Sequence, residues 1–268
     1  DIQYSFTTNA MNRLRWVVLF SCLCILSAQA DEECPIEQRI RELGDAIEAR
    51  LSPLTSQIQQ IMDQQKSGVT TTGVGFIPIG SEPKVPVYYE QMRFGGNWIV
   101  LMQRFDGSVR FNRTWAEYRD GFGVVGHEYW LGLERMHQLT KAASYEVAVE
   151  LEDFEGNYKY ERFDRFAVGP GTDRYPLELG AFSGTTGDSL SGHNGQGFAT
   201  FDDDQFGCSN KYAKGGWWYY SGKCYGAFPT GIWKNERAWS SICWMKFSEA
   251  DFKVPIRFVR MMIRPNEA

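Results

Sequence analysis

The chain has 268 residues, 43% hydrophobic and 15% aromatic, with a formal net charge of −5. That content excludes an intrinsically disordered protein and allows one or two domains with a sizeable core. The charges are interspersed, so no contiguous basic block neutralises phosphates or grips an anionic bilayer, and nucleic acid is not an expected partner.

Residues 1–10 carry no targeting logic and stand as a leader of no assigned role. From Met11, "MNRLRWVVLFSCLCILSAQA" reads as a secretory signal over 11–30. It has a basic start at Arg13 and Arg15, an apolar run from Trp16 to Leu26 and a small-x-small end at Ala28-Gln29-Ala30. The expected mature chain begins at Asp31, is secreted and extracellular, and keeps no stable membrane span. An uncleaved signal anchor is the alternative, although the apolar run falls short of the about 20 residues a span needs. Secretion leaves Cys34, Cys208, Cys224 and Cys243 where disulfides persist, and none has zinc-site spacing.

Residues 31–65 predict a helix. Ile36, Ile40, Leu43, Ile47, Leu51, Leu54, Ile58 and Ile61 recur three and four apart with polar residues between them. So narrow a stripe needs a partner, which predicts self-association through 36–61 as a short coiled coil. A single amphipathic helix packed on its own domain is the alternative, and Pro53 counts against a continuous rod. Cys34, just before the helix, is placed to bond parallel chains covalently. Residues 66–73 are Gly/Ser/Thr-rich and read as a linker.

From Val74 to Ala268 the chain turns to short aromatic and β-branched runs such as "VPVYYEQM", "NWIVLMQRF", "SYEVAVELEDF" and "RFVRMMIRP". Helical starts occur at "TWAEYRDGF" and "GLERMHQLT", opened by Thr114 and Gly132. This predicts an α+β domain of twisted antiparallel strands, few short helices and many ordered loops. "HEYWL" lacks the second His of a zinc protease, and no GxSxG, P-loop or GxGxxG occurs in strand–turn–helix context. His127, His137 and His193 therefore read as core or turn residues, and the chain reads as no enzyme. Asn112, in "NRT", is the single Asn-x-Ser/Thr sequon and is expected to be glycosylated if exposed.

"GGNWIVLMQRFDGSVRFNRTWAEYRDGFG", "HEYWLGLERMHQLT", "GGWWYYSGKC" and "VRMMIRP" follow one another in an order that resembles the fibrinogen C-terminal globular domain family over about 74–268. A helical N-terminus followed by one such domain is similar in layout to the ficolins, tachylectins and insect fibrinogen-related immune proteins. The resemblance implies a lectin that binds microbial surface glycans or acetylated ligands in innate immunity, with a protein-interaction or adhesion module of the same fold as the alternative.

The resemblance implies a disulfide between Cys208 and Cys224, and two departures from the family pattern. The family's first disulfide is absent: Tyr89 stands at its "VYCDM" cysteine, and no cysteine occurs from 35 to 207. The lost cross-link forgoes about 3 kcal/mol, to be recovered by packing of Tyr88 and Tyr89. The second departure is "TFDDDQFGC", shorter than the family's calcium loop. It reads either as a calcium site, with carboxylates of Asp202 and Asp204 and carbonyls of Phe206 and Gly207, or as a solvated acidic turn. Cys243 is then the odd thiol, expected buried and inert unless it pairs with Cys34 of a neighbour.

The implied ligand pocket lies beside the Cys208–Cys224 bridge. A cis Lys223–Cys224 peptide is expected to aim backbone N–H groups at an acetyl oxygen there, with Tyr212 and Tyr225 enclosing the methyl. Tyr225 occupies the position of a family histidine. Trp217 and Trp218 read first as core, with Trp218 retained as a ligand contact.

Overall fold

The computed structural model describes residues 35–66 and 71–266, and the chain divides into two compact units, 1–67 and 68–268. The signal segment and Cys34 lie outside the described residues.

In the first unit a single helix, α1, spans Pro35–Lys66. It runs through Pro53, against the expectation of a break. A proline removes one i→i−4 bond, here to the Ala49 carbonyl, and Ala49 is exposed so that water can take the bond's place. Ile40, Leu43, Ile47 and Leu51 are each 45–63% exposed along it. The side chains of Ile36, Leu54, Ile58 and Ile61 lie outside the described set.

The second unit is built on strands β1 (Gly73–Ile79), β2 (Glu82–Glu90) and β3 (Trp98–Arg104), helix α2 (Trp115–Asp120), strands β4 (Phe122–Gly123) and β5 (Tyr129–Trp130), and helix α3 (Leu133–Ala142). Strands β6 (Tyr145–Asp153), β7 (Tyr158–Val168), β8 (Leu177–Leu179) and β9 (Phe182–Gly184) follow. After them come the short helix α4 (Cys208–Lys211), strands β10 (Ala227–Phe228) and β11 (Cys243–Trp244), and the C-terminal strand β12 (Ile256–Pro265). The main sheet runs β1-β2-β3-β12-β6-β7-β8 with antiparallel pairing, so "RFVRMMIRP" enters the centre between β3 and β6. This is the expected α+β architecture.

Alternation divides the sheet into two chemically different faces. Val147, Val149 and Leu151 of β6 face inward, as do Leu133, Met136 and Leu139 of α3, all buried. The other face carries ion pairs: Arg260 to Glu150 (2.5 Å) and Glu90 (2.6 Å), and Arg264 to Glu146 (2.6 Å). Thr114 starts α2 with a capping box to Glu117, as its sequence predicts.

Where the family's first disulfide is missing, Tyr88 and Tyr89 pack against the core, and Tyr89 sits opposite Gly73 in β1. Two polar contacts add to them: Gln91 N–H donates to Thr72 Oγ1 (3.0 Å), and that hydroxyl donates to Glu90 Oε1 (3.4 Å).

The region after β9 has little regular structure and depends on side-chain clamps. It carries the residues that the sequence marks for ligand and metal.

Candidate functional site

Cys208 and Cys224 are joined, with their Cα atoms 5.6 Å apart. Gly207, at φ +68, turns the chain into α4, and the bridge closes a 15-residue loop that holds the Trp217-Trp218 pair. No cis peptide occurs among the described residues, so the expected cis Lys223–Cys224 bond is replaced by a different device. Cys224 itself takes a left-handed φ of +70, and its carbonyl accepts from the Tyr220 N–H (3.0 Å). Lys223 is exposed beside it.

Tyr225 departs from the expected pocket wall. Its ring is 2% exposed, stacks on Phe228 at 4.8 Å, and its hydroxyl donates to the Trp239 carbonyl. A phenol buried this way satisfies both its apolar body and its polar tip, so nothing draws the ring outward. Tyr225 instead supports two rings that do reach the surface. Tyr212, half-buried, meets it edge-on at 5.1 Å, and Trp239, 39% exposed, lies 6.3 Å away. An ammonium sits over each outer ring, Lys211 Nζ 5.0 Å from Tyr212 and Lys253 Nζ 4.5 Å from Trp239. Trp239 and Lys253 were not singled out by the sequence. The available signal was an isolated tryptophan between Ala238 and Ser240, without an apolar period to bury it.

Trp218 is core and does not face a ligand. It is fully buried, its Nε1 donates to the Tyr175 carbonyl (2.7 Å), and it packs edge-on against Trp217 and Phe198.

His193, expected as a core or turn residue, is a buried clamp. Its Nδ1 lies 2.7 Å from the Trp218 carbonyl and therefore carries the proton, while Nε2 accepts from the N–H groups of Gly226 and Ala227, both at 3.1 Å. One neutral ring thus ties the tryptophan pair to the strand that follows Tyr225. Burial holds its pKa down at about 4.

Cys243 is fully buried, and burial pushes its thiol up to about 12. It is an inert core thiol, and bonding to Cys34 of a neighbour would require this core to open.

The acidic triplet splits into three tasks. Asp202 Oδ1 accepts from the Trp115 N–H (3.0 Å) and the Thr200 hydroxyl (2.7 Å), so the carboxylate is turned to the start of α2. Asp203 pairs with Arg174 at 2.8 Å. Asp204 Oδ2 accepts from the Asn210 N–H (2.8 Å), which leaves Oδ1 buried without a hydrogen-bond partner. The residues fit a hard cation in part. Asp204 offers a free buried oxygen near the Phe206 and Gly207 carbonyls in sequence, whereas Asp202 is engaged elsewhere. No group of three or more His, Cys, Asp or Glu gathers as a metal cluster among the described residues.

Asn112 is exposed, and Thr114 of its sequon supplies the α2 cap.

Comparison with known proteins agrees with this architecture. The family described as "Fibrinogen beta and gamma chains, C-terminal globular domain" matches residues 57–266. Human Angiopoietin-related protein 6 is 37% identical over 77% of this chain and 45% of its own length, and human Ficolin-3 is 40% identical over 74% and 67%. The chain therefore spans less than half of the first of these relatives. The solved fibrinogen-like globe domain of human ANGPTL6 superimposes with a TM-score of 0.71 at 36% identity, covering 77% of this chain and 94% of that one. A lamprey fibrin D-dimer, solved with the peptide ligand Gly-His-Arg-Pro-amide, shares the fold at TM-score 0.66 and 22% identity, covering 97% and 96%. With a matching family profile over most of its length and relatives near 40% identity, the chain belongs to the fibrinogen C-terminal globular domain family.

Proposed function

We propose that the chain is a secreted lectin that recognises microbial or acetylated surface glycans in innate immunity and acts as an oligomer. The observation that carries this reading is the surface pair Tyr212 and Trp239, held around buried Tyr225 beside the Cys208–Cys224 bridge. Exposed aromatic edges of this kind hold the C–H face of a sugar and an acetyl methyl, and the likeness to Ficolin-3 is in keeping with it. The role is binding rather than catalysis: His193 is locked by three hydrogen bonds and Cys243 is sealed in the core. Secretion is supported by the signal-like segment 11–30 and by a disulfide in the domain.

Weak single sites gain strength by being joined. The exposed stripe of Ile40, Leu43, Ile47 and Leu51 supports self-association through α1, with Cys34 as the covalent link. Calcium, if taken up, binds at Asp204 Oδ1 with the Phe206 and Gly207 carbonyls and water, and supplies loop rigidity.

A protein-interaction module without sugar binding is the second reading. The likeness to an angiopoietin-related protein and the peptide bound to the lamprey relative favour it. A glycan-array screen of the secreted protein, with and without chelator, separates the two. Tyr212→Ala and Trp239→Ala should each lose about 5- to 150-fold in affinity for N-acetylated sugars, which corresponds to about 1 to 3 kcal/mol for a ring. Unchanged binding in both variants would move recognition to the protein-interaction reading.

A further inference from the structure

The chain is acidic overall, at −5, yet residues 205–255 carry seven Lys and Arg against three Asp and Glu. Two of those three acids are already occupied, Glu236 by Lys234 at 2.8 Å and Asp251 by Arg237. Lys211, Lys214, Lys223 and Lys253 have no carboxylate partner among the described residues. The nearby aspartates do not neutralise them: Asp202 is held by Trp115 and Thr200, Asp203 by Arg174, and Asp204 by Asn210.

Two of these lysines share one aromatic cluster, whereas Lys214 lies over the Phe201 ring at 5.6 Å. Ring contacts link Lys211, Tyr212, Tyr225, Trp239 and Lys253 in succession, with separations of 5.0, 5.1, 6.3 and 4.5 Å. Because Tyr225 is buried, a ligand on this face meets Tyr212 and Trp239, each with an ammonium above it, and exposed Lys223 one residue before the bridge's Cys224. An ammonium over an aromatic face keeps N–H donors free for an anion. A neutral acetylated sugar would use the rings and leave those donors to water.

We propose that this face selects anionic glycans, sugar polymers bearing sulfate, phosphate or carboxylate groups, with ring faces on Tyr212 and Trp239 and the anions on Lys211, Lys253 and Lys223. The proposal rests on the glycan reading above and narrows its ligand class. Each exposed ion pair is weak and screened by salt, so its signature is a salt-dependent affinity that also needs the rings.

The test uses purified oligomeric protein on four immobilised probes: heparin for sulfate, polygalacturonate for carboxylate, teichoic acid for phosphate, and neutral chitin oligomers. At least one anionic probe should bind more tightly than chitin and lose about 5- to 10-fold in affinity between ~50 and ~200 mM salt, the response of about two neutralised charges. The Lys211→Ala/Lys253→Ala double variant should abolish that preference and keep its chitin binding, whereas Lys141→Ala, an exposed lysine on α3, should change nothing. Chitin binding without any anionic preference overturns the proposal alone and leaves the glycan reading standing. Failure on all four probes overturns both. If single-stranded DNA competes as well as the glycans, and Tyr212→Ala/Trp239→Ala leaves polyanion binding intact, the face is a general cation surface and the proposal falls.

Discussion

Protonating His193 should weaken the domain between pH 6.5 and about 4, and a second buried group, Glu161, should hide much of that effect. Burial lowers the His193 pKa from 6.5 to about 4 against the Nδ1–H bond to the Trp218 carbonyl, and Nε2 meanwhile accepts from two N–H donors that only the neutral ring can satisfy. The unfolded chain binds this proton more readily, so His193 contributes its stability in full above pH 6.5 and loses it as pH falls toward 4. With about 1.4 kcal/mol per pKa unit, the loss totals about 3 kcal/mol.

Glu161 has the opposite sign. It is fully buried, and its Oε1 takes all three of its hydrogen bonds, from Trp244 Nε1, the Ser189 N–H and the Thr186 hydroxyl, while Oε2 has none. Burial pushes this carboxyl up from 4.5 to about 7 against those three bonds. The folded state therefore binds the proton more readily, and Glu161 loses about 3 kcal/mol of stability as pH rises from 4.5 through 7. Between pH 4.5 and 6.5 the two slopes nearly cancel. The assay is urea unfolding followed by tryptophan fluorescence from pH 4 to 8, comparing the parent with Glu161→Gln and His193→Gln. Glu161→Gln should show a stability that falls by about 1.4 kcal/mol per pH unit below pH 6.5, and His193→Gln one that falls as pH rises through 7. A parent-minus-His193→Gln difference that stays flat from pH 7 to 4 would refute the neutral-clamp account.

Glu128→Gln should destabilise the domain by about 3 to 5 kcal/mol, read from the urea midpoint. Its buried carboxylate accepts from four N–H groups between Phe105 and Val109 and faces Arg104 Nε at 3.5 Å, so loss of its charge leaves the arginine unpaired. For calcium, a site built on Asp204 alone should bind at about 10⁻⁴ to 10⁻³ M and raise stability by only about 1.4 kcal/mol at ten times Kd. Asp204→Ala should abolish the response of the melting temperature to calcium while Asp202→Ala preserves it, and a parent that ignores both calcium and chelator excludes the site. Intact mass of the secreted protein should place the N-terminus at Asp31 and show a glycan on Asn112 that a glycosidase removes.

The fold was legible because its signals are local. Alternation in "SYEVAVELEDF", the cap Thr114 and the order of the aromatic motifs each act within a few residues, and β6, α2 and the sheet follow them. Pro53 was misleading because an exposed helix can lose one bond to water and continue. The site was less legible because its residues are set by contacts distant in sequence. Tyr225 is turned inward by Phe228 and by the Trp239 carbonyl, and His193 is fixed by Trp218, Gly226 and Ala227. Nothing in the spacing of "GKCYG" or "SGHNG" discloses those partners. The charge distribution misled for the same reason: no basic run exists in the sequence, yet Lys211 and Lys253, 42 positions apart, end on one set of connected rings.

The position of Tyr225 connects these points to function. The resemblance puts a histidine there, whose ring nitrogen could donate to a ligand. A phenol has one polar atom, and here the Trp239 carbonyl takes its proton, so Tyr225 offers a ligand no donor. That bond fixes the Trp239 backbone, whose indole then stands 39% exposed next to Lys253. The exchange removes a hydrogen-bond donor from the pocket and brings an aromatic face with a cation to its rim. A site changed in this way recognises ligands less through a directed bond to an acetyl oxygen and more through ring contact and charge, and salt separates those two contributions: ring contact persists as ionic strength rises, while the ammonium contribution is screened beyond a Debye length of about 8 to 10 Å. Tyr225→Phe isolates the link. It keeps the stack on Phe228, frees the Trp239 carbonyl, and should weaken ligand binding by loosening Trp239 while costing only about 1 to 3 kcal/mol of stability for the unsatisfied carbonyl. If Tyr225→Phe binds as tightly as the parent while Trp239→Ala does not, Trp239 is positioned by Ala238 and Ser240 alone, and the coupling between the buried phenol and the surface site is absent.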